Sequence, residues 1–258
     1  MTRRIAVTGS ASGIGKSLVE MLRDQGDTVI GIDRNTAEVQ ADLATEQGRA
    51  SVVDAVAERS GGRLDGIVAC AGVSTADPLA VKVNYFGVVR LLEGIRPVLA
   101  AGRRPRAAVV GSIAGTRPVD QAVIEACLAG DERAAVDRAD AVVAGGGGQK
   151  LYPSSKSALA QWLRRVSVTE DWAGAGIPLN AVAPGVVLSP MVESLLADEE
   201  MTRVMNDAVP MPLNGHSEPS VIASALAWLI SEDNTHITGQ VLYADGGAEA
   251  TLRGPDRF

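Results

Sequence analysis

Short runs of β-branched and apolar residues alternate with longer stretches whose apolar positions recur every three to four residues, and the alternation continues along nearly the whole chain. Such a pattern predicts βαβ units and a parallel sheet. Arg4-Ile5-Ala6-Val7-Thr8 reads as a first strand, after which Ile14, Leu18, Met21 and Leu22 recur at helical spacing. Thr28-Val29-Ile30-Gly31-Ile32 reads as a second strand and Glu38-Val39-Gln40-Ala41 as a brief extended run. A helix over 46–58 then presents Val52, Val53 and Val56 on one face. The strand expected over 65–70 leads to one long apolar helix over 79–99, and a further strand spans 106–110. Beyond these come a helix with Leu159, Trp162, Leu163 and Val166 as its buried stripe, a strand over 177–182, a helix over 218–230 and a last strand over 239–244. The expected fold class is α/β: one doubly wound parallel sheet of about seven strands with helices on both faces.

The connection between the first strand and the first helix is Gly9-Ser10-Ala11-Ser12-Gly13-Ile14-Gly15. Glycines there let the backbone turn tightly and approach a pyrophosphate, and the free N–H groups of the following helix hold the anion. Strand, glycine loop and helix in that order point to a Rossmann-type nucleotide site, and the chain length fits a single domain. Asp33 ends the second strand, about 20 residues past the loop, where an acid bonds the ribose 2′-hydroxyl of NAD and repels a 2′-phosphate. Arg34 follows and offsets part of that repulsion, yet the acid stands where the ribose should lie, so NAD is the expected cofactor.

Composition narrows the choice of partners. A chain of 258 residues, 46% of them hydrophobic, suffices for one large core. A net charge of -7 and 3% aromatics argue against a nucleic-acid surface. Cys70 and Cys127 lie far apart without CxxC spacing, so neither a disulfide framework nor a metal site is expected, and a reducing cytoplasm fits. Cys70 itself reads as a small buried hydrophobe. No apolar run of about 18 residues occurs, and Thr2-Arg3-Arg4 opens no signal-peptide core, which predicts a soluble protein with no membrane association.

The chemistry concentrates in Tyr152-Pro153-Ser154-Ser155-Lys156. On a helix, positions i and i+4 share one face about 6 Å apart, so the phenol and the ammonium would enter one pocket. A cation at that distance favours the phenolate and brings a tyrosine towards use as a proton shuttle near neutral pH. Ser112 offers a hydroxyl just beyond the 106–110 strand, at the edge where open α/β sheets hold ligands. Asn84 reads as a buried helix amide.

Together these residues resemble the short-chain dehydrogenase/reductase family over nearly the whole chain. Thr8-Gly9, Gly13-Ile14-Gly15, the Ala71-Gly72 turn, Asn84, Ser112, Tyr152 with Lys156, Pro184-Gly185 and Asp245-Gly246-Gly247 stand in that family's order. The resemblance implies that Tyr152 is the general acid/base, that Lys156 lowers its pKa and binds the nicotinamide ribose, that Ser112 holds and polarises the substrate oxygen, and that Asn84 supports a water in the proton relay. It also implies an NAD site built from Gly9, Ser12, Gly13, Ile14, Gly15, Asp33, Asp42, Leu43, Cys70, Ala71, Gly72, Tyr152, Lys156, Pro184, Gly185, Val187 and Ser189. Two departures leave the catalytic groups intact: Ala69-Cys70 stands where the family has Asn-Asn, and Ser189 where it has Thr.

A larger departure separates Ser112 from Tyr152 by forty positions. The added segment, 116–149, is acidic and alanine-rich, with Gly145-Gly146-Gly147-Gly148 as an expected hinge into the catalytic helix. With the short Gln40-Ala41-Asp42-Leu43 connection and Cys70-Ala71-Gly72, it is similar to the hydroxysteroid dehydrogenase/carbonyl reductase branch of the family and, somewhat less, to coniferyl-alcohol-type members. Residues 186–216, carrying Met191, Val192, Leu195, Leu196, Met201, Val204, Met205, Val209 and Met211, fall where the family has its substrate lid, and methionines suit an adaptable apolar pocket. The implied activity is hydride transfer between NAD(H) and an apolar secondary alcohol or ketone, a hydroxysteroid or other alicyclic or aromatic alcohol. A catalytically silent NAD-sensing scaffold is the competing reading, against which the intact Ser112, Tyr152, Lys156 and Asn84 set weighs. The apolar residues of 116–149, among them Val119, Val123, Ile124, Leu128, Val136, Val142 and Val143, are expected to cover the helices carrying Asn84 and Tyr152. That leaves the 218–230 helix and the last strand as a homodimer contact.

Overall fold

The computed structural model describes residues 2–257, and the side chains of Ser194 and Leu195 lie outside what is described, so the lid role expected of Leu195 does too. Seven parallel strands form one sheet in the order β3-β2-β1-β4-β5-β6-β7. They are β1 (Arg4–Thr8), β2 (Thr28–Asp33), β3 (Val39–Gln40), β4 (Gly66–Ala69), β5 (Arg106–Val110), β6 (Leu179–Pro184) and β7 (Val241–Ala244). β4 and β6 are buried along their whole length, as strands covered on both faces must be. The order reverses between β1 and β4, which are paired in register from Ile5–Gly66 to Thr8–Ala69. A ligand crevice opens at such a reversal, beyond the carboxyl ends of the strands.

On one face, α1 (Gly13–Asp24) and α10 (Pro219–Leu229) pack together over Ile5, Val7, Val68 and Ala108. On the other lie α2 (Glu46–Ser60), α4 (Val88–Ala100) and α7 (Leu151–Val166), with Leu91, Leu92, Ile95, Leu159 and Leu163 in the core. Local chemistry sets the ends of α2: Thr45 Oγ1 accepts from Gly48 N at 3.0 Å, and Gly61 closes the helix at φ +63°.

The single helix expected over 79–99 is broken. α3 (Leu79–Val81) passes into a π turn (Lys82–Gly87) before α4 begins. Asn84 sits within that turn, where one extra residue per turn shifts the face it presents.

The segment 116–149 forms α5 (Gln121–Leu128) and α6 (Glu132–Ala144), capped by Asp120 and Asp131. α5 packs against α7, and α6 against α3 and the π turn, so the expected cover over the two catalytic helices is present. Val123, Ile124, Cys127, Ala135, Ala139 and Val142 are buried there, whereas Val143 stays exposed. The glycine run forms a turn at its end, open at Gly146 with φ +76° and close-packed at Gly148, where a Cβ would stand 2.4 Å from the Ala76 carbonyl oxygen. In the 186–216 stretch, α8 (Glu193–Leu196) and α9 (Glu199–Ala208) are short, and α9 buries none of its residues.

Candidate active site

The carboxyl ends of β1, β2, β4, β5 and β6 bring the expected residues to one edge of the sheet. Gly9 follows β1 at φ +69°, and a Cβ there would lie 2.9 Å from Ala71 N. A Cβ on Gly15 would lie 2.1 Å from the Gly9 carbonyl oxygen, so neither position admits a side chain. Ser12 leads into α1 with no side chain capping the helix and no acid in its first turn. The free N–H groups and the positive end of α1 are therefore left for an anion. Ser189 faces Gly13 across this loop, its Cβ 3.5 Å from where a Gly13 Cβ would be.

Asp33 ends β2 with Oδ2 accepting from Ala11 N at 3.1 Å and Oδ1 from Asn35 N at 2.9 Å, so the carboxylate is fixed at the rim of the loop. Asp42 caps the turn after β3 through Ala44 N at 2.9 Å, while Leu43 beside it is buried. Past β4, Ala71 N donates to Thr8 Oγ1 at 3.0 Å and ties the two central strands together at the crevice. These features fit a dinucleotide: an uncapped helix end for the pyrophosphate, side-chain-free backbone beneath it, and an acid at the ribose position. Pro184 and Gly185 close the far side, where a Gly185 Cβ would meet Met211 Sδ at 2.8 Å. Val187, buried, bridges in parallel to Ser217.

At the centre, α7 presents Tyr152 and Lys156 as its i, i+4 spacing requires. Lys156 is buried, and its Nζ donates to the Val110 carbonyl at 2.8 Å. Burial lowers its pKa to about 8. The Nζ lies 5.9 Å from the centre of the Tyr152 ring. Burial raises the Tyr152 pKa, and the hydrogen bond with the neighbouring Ser112 hydroxyl draws it partly back down. Ser112 opens the short 3₁₀ turn after β5, its Oγ accepting from Ala114 N at 3.1 Å. Burial likewise pushes the Cys70 thiol, near Lys156, up to about 12 and keeps it a neutral thiol.

Asn84 makes three side-chain hydrogen bonds. Its Nδ2 donates to Val73 O at 2.9 Å and Ser155 Oγ at 3.1 Å, and its Oδ1 accepts from Val73 N at 2.8 Å. The side chain thus splices the loop after β4 to the catalytic helix.

Several groups that build the site were not anticipated: Val110, whose carbonyl holds Lys156; Ser155, partner of Asn84; and Ser154, buried beside Tyr152. Two serines inside the Tyr152–Lys156 turn were the available signal, since hydroxyls on a buried helix face require partners. Among the described residues no cluster of His, Cys, Asp or Glu could hold a metal ion, and no helix is long and apolar enough to cross a membrane.

Comparison with known proteins agrees with this geometry. A family model described as Enoyl-(Acyl carrier protein) reductase matches residues 9–249. The 3-alpha-hydroxysteroid dehydrogenase/carbonyl reductase of Comamonas testosteroni is 34% identical, over 98% of this chain and 99% of that protein. The coniferyl-alcohol dehydrogenase of Pseudomonas sp. (strain HR199 / DSM 7063) is 30% identical over 96% and 97% of the two chains. Among solved structures, the 3-alpha-hydroxysteroid dehydrogenase from Pseudomonas sp. B-0831 complexed with NADH superposes with a TM-score of 0.90 at 45% identity, covering 97% of this chain and 98% of that one.

Proposed function

Because the chain belongs to the short-chain dehydrogenase/reductase family and is an NAD-linked oxidoreductase acting on CH–OH groups, we propose that it interconverts an apolar secondary alcohol and its ketone, of hydroxysteroid or other alicyclic or aromatic type. The observation that carries this reading is the Ser112, Tyr152 and Lys156 cluster, supported by a lid region that exposes the large apolar side chains Leu188, Met191, Met201 and Val204 among its charged ones. Similarity to the Comamonas enzyme supports the hydroxysteroid class.

In oxidation, Ser112 Oγ holds the substrate hydroxyl and Tyr152, as phenolate, takes its proton while the carbinol hydrogen departs with its electron pair. NAD, when bound, supplies the acceptor for that hydride. Lys156 has one N–H on Val110 O and two left for the ribose hydroxyls. In reduction, Tyr152 gives its proton to the carbonyl oxygen, and burial that keeps the phenol protonated suits it to that direction. Asn84 serves by fixing Val73 and Ser155.

The assembly we infer is a cytoplasmic homodimer. Two free cysteines suit a reducing compartment. For the dimer, α10 exposes Val221 and Trp228, and the edge strand β7 exposes Leu242, an apolar surface that an isologous contact would cover.

A screen of NADH formation over hydroxysteroids, monocyclic terpene alcohols and aryl alcohols, with NAD and NADP in parallel, tests the function. We expect turnover of a hydroxysteroid with NAD. Preference for aryl alcohols would move the assignment to the coniferyl-alcohol type, preference for NADP would overturn the role of Asp33, and no turnover at all would sink the substrate class. Light scattering reports the dimer.

A further inference from the structure

The segment 116–149 joins Ser112 to Tyr152 along the chain, and it also closes back on the helix it leads into. Tyr152 occupies the first turn of α7, where helices fray, and Lys150 ahead of it supplies no capping side chain. Something outside the helix must hold that turn. Ser154, fully buried, donates through Oγ to Lys150 O at 2.7 Å and accepts from the backbone N–H of Asp120 at 2.9 Å. Asp120 is itself pinned. Its Oδ1 accepts from Val123 N at 3.1 Å, capping α5, and Arg138 of α6 grips both carboxylate oxygens, through Nε at 3.0 Å and Nη2 at 2.6 Å. These hydrogen bonds hold the Asp120 carboxyl below the usual carboxylate range, so the pair is ionised at neutral pH. At the other end, Arg49 grips Glu132 of α6 with Nη2 at 2.7 Å and anchors the hairpin to α2.

We propose that Asp120, clamped by Arg138, is a positioning residue for Tyr152: through Ser154 it fixes the first turn of the catalytic helix and so sets where the phenol stands relative to Ser112. This rests on Tyr152 being the acid/base. None of these three residues faces the glycine loop or Asp33, so the clamp should affect the proton-transfer geometry and leave cofactor binding alone. Displacements of about 1 Å at reacting groups can cost up to a hundredfold in rate.

The test is single-turnover NADH formation with the alcohol found in the screen, beside NADH affinity by fluorescence, for Arg138→Ala, Arg138→Lys and Ser154→Ala. We expect the single-turnover rate to fall about tenfold in Ser154→Ala and about threefold in Arg138→Ala, within the range for a misplaced group. NADH affinity should stay within about twofold, and Arg138→Lys should recover part of the loss, as a point charge replaces a bidentate fork. Arg138 is half exposed, so its replacement leaves the core untouched and decides the matter even where Ser154→Ala does not fold. A wild-type single-turnover rate in Arg138→Ala, or a loss of NADH affinity in proportion to the rate, overturns the positioning role while Tyr152→Phe still abolishes turnover. Retained turnover in Tyr152→Phe overturns both readings.

Discussion

Two segments lie outside the sheet-and-helix frame, 116–149 and 186–216, and both carry apolar residues at irregular spacing, yet they put them to opposite use. The first turns Val123, Ile124, Cys127, Ala135, Ala139 and Val142 inward against the helices that bear Asn84 and Tyr152, and fastens itself with the Asp120–Arg138 and Arg49–Glu132 pairs. The second leaves Met201 42%, Val204 50% and Leu213 67% exposed and buries no residue of α9. One is built as part of the core; the other leaves its apolar side chains to solvent. A rigid wall behind the acid/base is what fixed proton geometry requires, and on the proposed reading the exposed segment supplies an adaptable wall for an apolar substrate.

The sharpest break in the comparison comes at the residue the rigid segment supports. Tyr152→Phe should lower turnover by about a hundredfold to ten thousandfold, the range for a positioned acid/base, with NADH affinity nearly unchanged. Steady-state kinetics beside fluorescence titration read both, and most of the activity surviving with any substrate would remove Tyr152 from the chemistry.

Within the segment itself, Ile124→Ala should cost about 3 kcal/mol of stability, because the residue is buried between α5 and the core and leaves a cavity. Urea unfolding measures it. A loss below about 0.5 kcal/mol, the level of an ordinary surface change, would mean that the segment is no more part of the core than the lid.

Much of this division was legible in the sequence, but unevenly. The glycine loop, Asp33 and the Tyr152–Lys156 pair were readable because their geometry is local: a turn, a strand end, one helical face. The covering of the catalytic helices by 116–149 followed from apolar residues that had to be buried somewhere. What could not be read depends on distant partners. The π turn at Lys82–Gly87 accompanies the bonds of Asn84 to Val73 and Ser155, contacts no periodicity reports. The upward movement of the Tyr152 pKa is set by burial, a property of the finished fold that spacing alone does not report.

Lys156 sharpens the rigid side in another way. Burial takes its pKa from 10.5 to about 8, so between those values the unfolded chain binds the proton that the folded one has lost. Stability must rise with pH wherever the unfolded state holds more protons, so the penalty of burying this ammonium is full below about pH 8 and relieved by about pH 10.5. The difference corresponds to about 3 kcal/mol. Lys156→Met removes the titration, and the stability gap between variant and wild type should shift by that amount in favour of wild type across the window. A gap independent of pH would mean that the ammonium is not desolvated in the fold.

The smallest change in stability is expected on the adaptable side, and it is the one that completes the contrast. Met201 and Val204 lie on α9 with roughly half of each side chain in water, so shortening both to Ala removes little that the folded chain has buried. Unfolding free energy should move by no more than about 0.5 kcal/mol, as for surface substitutions generally. If α9 closes over an apolar substrate, the same two side chains lose their exposed area only in the complex, and burial at about 25 cal/mol per Å² makes that worth a kcal/mol or so. The kcat/KM for the alcohol should then fall about tenfold, carried by KM, while the KM for NAD stays put. A stability loss comparable with that of Ile124→Ala would place α9 in the core after all, and an unchanged KM for the alcohol would take these two residues out of the substrate wall.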